Sequence, residues 1–164
     1  MQLKRVTIPG IVILLVALMA TWAYAQGHIQ LKSVAQVEKE VFSQEGKKEV
    51  RREPAAKVLP GNEVIFTTFY ENTSKEVAEN AVITNPMPEH MIYTENSAQG
   101  KGTRITFSVD GGKTYDVPAR LFIFDASGRK FPARPRDYTH IRWTFGEPLP
   151  PGAKGEVSFR AILQ

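Results

Sequence analysis

From residue 60 onward, hydrophobic and polar residues alternate in short runs that end at turn residues. The clearest runs are 64–70 and 138–145, and in the second Ile141, Trp143 and Phe145 lie on one side of a predicted strand. Other predicted strands are 77–84, 91–93, 104–109, 114–117, 121–124 and 157–162. Because turns recur every 8–12 residues or so and no strong helical period intervenes, the pattern predicts an all-β fold, an immunoglobulin-like antiparallel β-sandwich of about seven to nine strands.

The segment 26–57 is charged, and its pattern is ambiguous. It alternates like a strand at Ile29 and Leu31 and then changes to a spacing closer to that of a helix. A predicted turn at 44–47 divides it into two halves. We favour a long, partly exposed hairpin, with a solvated loop in the second half as the alternative. The predicted sandwich domain then spans 58–164.

The first 25 residues predict a secretory signal peptide. Lys4 and Arg5 give a positive start, 11–19 is a short apolar run, and an Ala-Tyr-Ala sequence ends at Ala25. We expect cleavage after Ala25 and a periplasmic or secreted protein, with an uncleaved N-terminal anchor as the alternative. Because the apolar run is shorter than a typical bilayer span, no stable membrane span is expected after cleavage.

After removal of the predicted leader, the composition is that of one domain with nearly balanced charge. Removal of 25 of the 164 residues leaves 139, enough for a single domain with a substantial core. Two of the 21 Lys and Arg residues lie in the leader and none of the 17 Asp and Glu residues does, so the net charge falls to about +2. That small excess does not favour a nucleic-acid partner. The chain has no cysteine, so its stability must come from the core without disulfides.

Four segments resemble a known family: 59–72, 78–88, 141–145 and 149–159. The pattern opens with Pro60-Gly61, a polar pair and alternating strand residues that end at Asn72, and it resembles domain-of-unknown-function family 11, the conserved repeat domain of bacterial surface proteins. The match covers about residues 58–163. The family usually has an acidic residue where this chain has Asn85, and its members often occur in tandem. The resemblance implies an immunoglobulin-like sandwich on the envelope and implies no chemistry.

Residues 108–115, Ser-Val-Asp-Gly-Gly-Lys-Thr-Tyr, are similar to the Asp-box hairpin of sialidases and other propellers. In such a hairpin the aspartate, here Asp110, accepts hydrogen bonds from turn amides. Propellers repeat the motif once per blade, whereas this chain has one copy and is too short for a propeller. We therefore expect a self-contained hairpin, with a tip that contacts carbohydrate or calcium as the alternative.

Two neighbouring stretches supply the candidate contacts for a ligand or partner. The first is the basic, proline-broken loop 129–136, which would meet an anionic partner such as envelope glycan, lipid headgroups or an acidic protein. The second is the polar face of the strand that follows, a small polar–aromatic patch. The candidate residues are Arg129, Arg134, Arg136, Tyr138, His140 and Arg142. The alternatives are a merely solvated loop and an ordinary solvent-facing strand.

No residue pattern predicts catalysis, a cofactor or a metal. The three histidines, His28, His90 and His140, lack metal-ligand spacing, and no Gly-x-Ser-x-Gly elbow or cysteine nucleophile occurs. We therefore expect a non-enzymatic envelope module that binds an envelope protein or glycan through its loops or an exposed strand edge. The alternative is a carbohydrate-binding or glycan-hydrolysing periplasmic protein.

Overall fold

A computed structural model describes residues 29–43 and 45–164, and within them the chain is almost entirely β. The strands are β1 (Ile29–Phe42), β2 (Lys48–Pro54), β3 (Glu63–Asn72), β4 (Val82–Pro86), β5 (Met91–Tyr93), β6 (Gln99–Gly100), β7 (Thr103–Ser108), β8 (Phe122–Phe124), β9 (Lys130–Pro132), β10 (His140–Phe145) and β11 (Lys154–Leu163). Two single 3₁₀ turns are the helical elements of this part of the chain. The predicted all-β antiparallel fold is confirmed, with eleven strands in place of seven to nine.

The strands form two facing sheets and a separate two-stranded hairpin. The large sheet has the order β2-β1-β3-β11-β5, with β6 also paired to β11, and the small sheet has the order β4-β10-β7. The hairpin consists of β8 and β9. Every pairing is antiparallel. None of the helical turns in the described residues is long and apolar enough to cross a bilayer.

The charged N-terminal segment forms the hairpin that its pattern favoured. β1 and β2 pair from Gln36 with Pro54 to Phe42 with Lys48. The first half of β1 also pairs with β3, so this segment is continuous with the large sheet of the sandwich. The predicted leader 1–25 and Gln44 of the predicted turn lie outside the described residues.

The core lies between the inner faces of the two sheets. Phe159 of β11 stacks on Phe66 of β3 with ring centroids 5.0 Å apart, and Trp143 of β10 packs against Phe159 from the other sheet at 6.2 Å. Trp143 and Ile141 are fully buried. The predicted alternation of β10 is therefore correct, and burial of these side chains stabilises the fold without a disulfide.

The predicted strand 77–84 is displaced along the chain. Asn80 has a positive φ of 52°, which interrupts an extended strand, so the ladder begins at Val82 and continues to Pro86. Before the interruption, Ala78 forms an isolated bridge with Leu149. Proline is tolerated at the end of β4 because this is an edge strand, paired on one side with β10.

The side chain of Asn72 joins two loops at the end of β3. It is fully buried, and its Nδ2 donates to the backbone oxygens of Glu76 and Leu149, each at 2.8 Å. Its Oδ1 accepts from the Ser74 hydroxyl at 2.7 Å. The side-chain amide of Asn72 therefore hydrogen-bonds to the turn after β3 and to the proline-rich turn before β11.

Replacement of Asn72 by Ala should lower the free energy of unfolding by about 3 kcal/mol, because a fully buried side chain loses its hydrogen bonds to the backbone oxygens of Glu76 and Leu149 and the one from the Ser74 hydroxyl. Urea denaturation followed by circular dichroism measures the change. Gln30→Ala, at an exposed position of β1, is the control and should change stability by less than about 0.5 kcal/mol. Equal stability of the two variants would contradict this role of Asn72.

Candidate functional site

The predicted basic loop 129–136 is only partly a loop, which corrects the sequence interpretation. Residues 130–132 form β9, which pairs with β8 in the register Phe122 with Pro132, Ile123 with Phe131 and Phe124 with Lys130. The proline at the end of β9 did not prevent the pairing, because a two-stranded ladder leaves one edge of each strand free. We call residues 121–133 the aromatic hairpin.

The aromatic hairpin is attached to the sandwich at its base. Leu121 is buried in the core, and its carbonyl accepts a hydrogen bond of 2.9 Å from the backbone N–H of Ala133. Ala133 packs against the same core. Between these two residues, β8 and β9 pair only with each other among the strands of the described chain.

Apolar side chains occupy both faces of the aromatic hairpin. Because side chains alternate along a strand, Phe122 and Phe124 share one face, and Ile123 and Phe131 share the other. Phe124 is 67% exposed and Phe131 is 41% exposed. The hairpin therefore presents aromatic surface that the sandwich does not cover.

Basic side chains lie over these rings. The Lys130 ammonium is 3.7 Å from the centroid of the Phe122 ring, and the Arg129 guanidinium is 5.7 Å from that of Phe131. On one side, a shallow cleft of about 550 Å³ is lined by Ile123, Asp125, Phe131, Pro132 and Arg134. The cleft combines an apolar floor with a cation at its margin.

Asp125, the one carboxylate of the hairpin tip, is hydrogen-bonded within its own turn. Its Oδ1 accepts from the Ser127 hydroxyl at 2.6 Å and its Oδ2 accepts from Arg129 Nε at 2.9 Å. The hydrogen bond from Ser127, followed by that from the Arg129 backbone, holds the pKa of Asp125 below its usual range. By contrast, Lys130, Arg134 and Arg136 are exposed and form no ion pair within the described residues.

Tyr138 does not belong to the surface patch, which corrects a sequence-based expectation. It is 7% exposed, and its ring stacks on Phe107 in the core at 4.6 Å. Desolvation by this burial raises the pKa of its hydroxyl. A 3₁₀ turn at Pro135–Asp137 precedes it, and Thr139 lies outside β10, so the alternation of the strand does not extend back to Tyr138.

His140 and Arg142 do lie together on the outer face of the small sheet, and their aromatic neighbour is Tyr115. The Arg142 guanidinium is 3.4 Å from the centroid of the Tyr115 ring, and its Nε donates to the Thr84 hydroxyl at 3.2 Å. Gly112 allows this assembly, because an added Cβ would lie 2.9 Å from the Tyr115 hydroxyl and 3.3 Å from the His140 ring.

The Asp-box-like turn is closed by its own hydrogen bonds, as expected of a self-contained hairpin. Asp110 accepts from the Ser108 hydroxyl at 2.7 Å and from the Thr114 hydroxyl at 2.6 Å. The Ser108 hydroxyl also accepts from the N–H of Gly112 at 2.9 Å. The predicted return strand 114–117 is reduced to one bridge, between Asp116 and Phe107. Asp110 therefore stabilises the turn that precedes Tyr115. Its hydrogen bonds, chiefly those from Thr114, hold its pKa well below the usual range.

A cluster of ion pairs, which the sequence did not indicate, joins the N-terminal hairpin to β11. The Arg160 guanidinium donates to both oxygens of Glu38 at 3.0 Å and to Glu63 at 2.9 Å. The hydrogen bond from Arg160 is the main reason why the pKa of Glu38 is lowered. Glu38 and Arg160 are 122 residues apart, so no local pattern could have paired them.

No group of three or more potential metal ligands among His, Asp and Glu occurs in the described residues, and His28 lies outside them. A scan against protein-family models, a search of curated proteins and a search of solved structures each found no match. The resemblance to domain-of-unknown-function family 11 stays a prediction.

Asp110→Asn should lower the urea midpoint of unfolding at neutral pH, because the amide cannot reproduce the carboxylate's set of acceptors. The folded-state pKa of Asp110 lies below the unfolded value of about 4, so its contribution is complete above about pH 4 and is lost as pH falls through the folded pKa. The difference from wild type should therefore shrink in acid. Glu79→Gln, which removes an exposed carboxylate, is the control, and a difference that grows in acid would contradict the assignment.

Proposed function

We propose that this chain is a non-enzymatic binding module exported to the cell envelope, and that it attaches to another envelope component through the aromatic hairpin. The leader-like pattern of residues 1–25 supports export. The observation that carries the binding role is the combination of exposed phenylalanines on a two-stranded projection with three cations in or just after it, Lys130, Arg134 and Arg136, that form no ion pair within the described residues.

The position of the aromatic hairpin supports a contact role over a structural one. Its base, at Leu121 and Ala133, accounts for its attachment to the core. The rings of Phe124 and Phe131 lie beyond that attachment and add exposed apolar area, which costs free energy in water unless a partner covers it.

The basic residues give the proposed partner an anionic character. Lys130 lies within β9, Arg134 lies two residues after its end, and Arg136 lies in the 3₁₀ turn Pro135–Asp137. Asp125 is paired with Arg129 in its own turn, so these three cations are offset only by Asp137, and the segment keeps a net positive charge. The proposed contact is therefore apolar at its centre and positive around it.

A second candidate function, carbohydrate binding, is favoured by the patch of Tyr115, His140 and Arg142. Here an aromatic ring, a guanidinium and an imidazole meet beside a rigid turn. The ring and the polar groups are the kinds of side chain that contact a sugar face and its hydroxyls. The nearby carboxylate of Asp110 is held ionised by its turn, which does not suit the proton-donor role in glycan hydrolysis.

Sedimentation with an envelope preparation tests the first proposal. Phe124→Ser/Phe131→Ser should reduce the co-sedimented fraction about tenfold, because two exposed rings no longer enter the contact. The matched control is Phe42→Ser/Val50→Ser, which removes two exposed apolar side chains from the N-terminal hairpin and should bind like wild type. Equal binding by the two double variants would overturn the proposal.

A glycan array tests the second candidate. Tyr115→Ala should weaken any glycan bound by the wild type about tenfold, because the guanidinium of Arg142 loses the ring that positions it. Phe131→Ser, on the aromatic hairpin, is the control and should leave glycan binding unchanged. Absence of wild-type binding across the array, or equal binding by Tyr115→Ala, would contradict this function.

A further inference from the structure

We infer that the partner of the aromatic hairpin is an anionic lipid bilayer, in which Phe124 and Phe131 enter the headgroup region while Lys130, Arg134 and Arg136 bind lipid phosphates. This inference rests on the proposed function, because it names the partner of the same surface. Three features of the described residues carry it: the placement of the rings, the reach of the hairpin and the distribution of charge.

The rings are placed for a partner that surrounds the hairpin. Phe124 extends from one face and Phe131 from the other. A folded protein partner would have to enclose both faces of the projection to cover both rings, whereas a bilayer interface accepts aromatic side chains from any side of an inserted element. The two-sided distribution therefore favours lipid over a protein groove.

The reach of the hairpin matches the depth of a bilayer interface. β8 and β9 are three residues long, which corresponds to about 10 Å of strand. Elements that bind at an interface bury their apolar side chains about 5–10 Å into the boundary between headgroups and acyl chains. The cleft beside Ile123 and Arg134 also offers an apolar floor next to a cation, as a phospholipid headgroup with its first methylenes requires.

The charge distribution differs between the two hairpins of the chain. Where β1 and β2 pair, at residues 36–54, the cations form ion pairs, with Lys39 2.6 Å from Glu53 and Lys48 2.6 Å from Glu40. In the aromatic hairpin, which the structure describes in full, only Arg129 has an ion-pair partner, Asp125. Lys130 instead lies over the Phe122 ring near the base of the hairpin, where its ammonium can extend toward phosphate while Phe124 enters the interface. The excess positive charge favours a surface of anionic lipids.

Vesicle binding by the full chain provides the test. We expect about tenfold tighter binding to vesicles with about one third phosphatidylglycerol than to pure phosphatidylcholine vesicles, and loss of that preference in about 0.5 M salt. Lys130→Gln/Arg134→Gln/Arg136→Gln should abolish the preference. Lys39→Gln/Lys48→Gln/Arg51→Gln removes the same formal charge from the N-terminal hairpin and should keep it. Both variants retain the same residues 1–25, so a difference between them belongs to the cations at 130–136.

A fluorescent probe tests insertion itself. Because the chain has no cysteine, Phe124→Cys can carry a single polarity-sensitive fluorophore, which should show a blue shift with anionic vesicles and quenching by lipids brominated on their acyl chains. The same label at Phe42→Cys, a 75% exposed position of the N-terminal hairpin, should show neither. An unshifted emission spectrum of the label at position 124 would overturn insertion, and equal binding by the two triple variants would overturn the role of the basic residues.

The vesicle test and the envelope test fail independently. If sedimentation with envelope depends on Phe124 and Phe131 while lipid vesicles are not bound, the bilayer inference is overturned and the proposed function stands. If neither vesicles nor envelope binding depends on the aromatic hairpin, both are overturned.

Discussion

The packing of Trp143 and Phe159 across the two sheets is the interaction on which the rest of the structure depends. Trp143 belongs to the central strand of the small sheet and Phe159 to a strand of the large sheet, and their rings meet in the core. Without disulfides, burial of these and the neighbouring side chains must offset the conformational entropy lost on folding. Because β10 alternates, fixing Trp143 inward also fixes His140 and Arg142 on the outer face.

The sequence predicted what depends on local periodicity and turn chemistry. The alternation of β10 and the closure of the Asp110 turn both follow from residues within a few positions of one another. The patch of Tyr115, His140 and Arg142 was predicted only in part. The strand period places Arg142 correctly on the outer face, whereas its contact with Tyr115 requires the chain to fold back after the turn.

The errors arose where the local period changes or where the partner is distant. An alternating strand would place Tyr138 on the same face as His140. The 3₁₀ turn before Tyr138 interrupts this alternation, and the Tyr138 ring lies in the core. The prolines near β9 indicated a loop because proline has no backbone N–H to donate to a ladder. A two-stranded hairpin leaves one edge of each strand unpaired, and Pro132 is tolerated in β9 for that reason. The pairing of Glu38 with Arg160 was not predicted, because the two residues are 122 positions apart in sequence.

The comparison of the two hairpins explains why the aromatic hairpin is the stronger candidate for a contact surface. Both are antiparallel pairs that carry exposed apolar residues. In the N-terminal hairpin, Arg52 and Arg160 converge on Glu38, so its charges are used to hold the hairpin to the large sheet. In the aromatic hairpin the core contact at Leu121 already provides attachment, and Lys130 beyond it forms no ion pair. Lys130 and the exposed rings of Phe124 and Phe131 are therefore the side chains of this hairpin that are available to contact a partner.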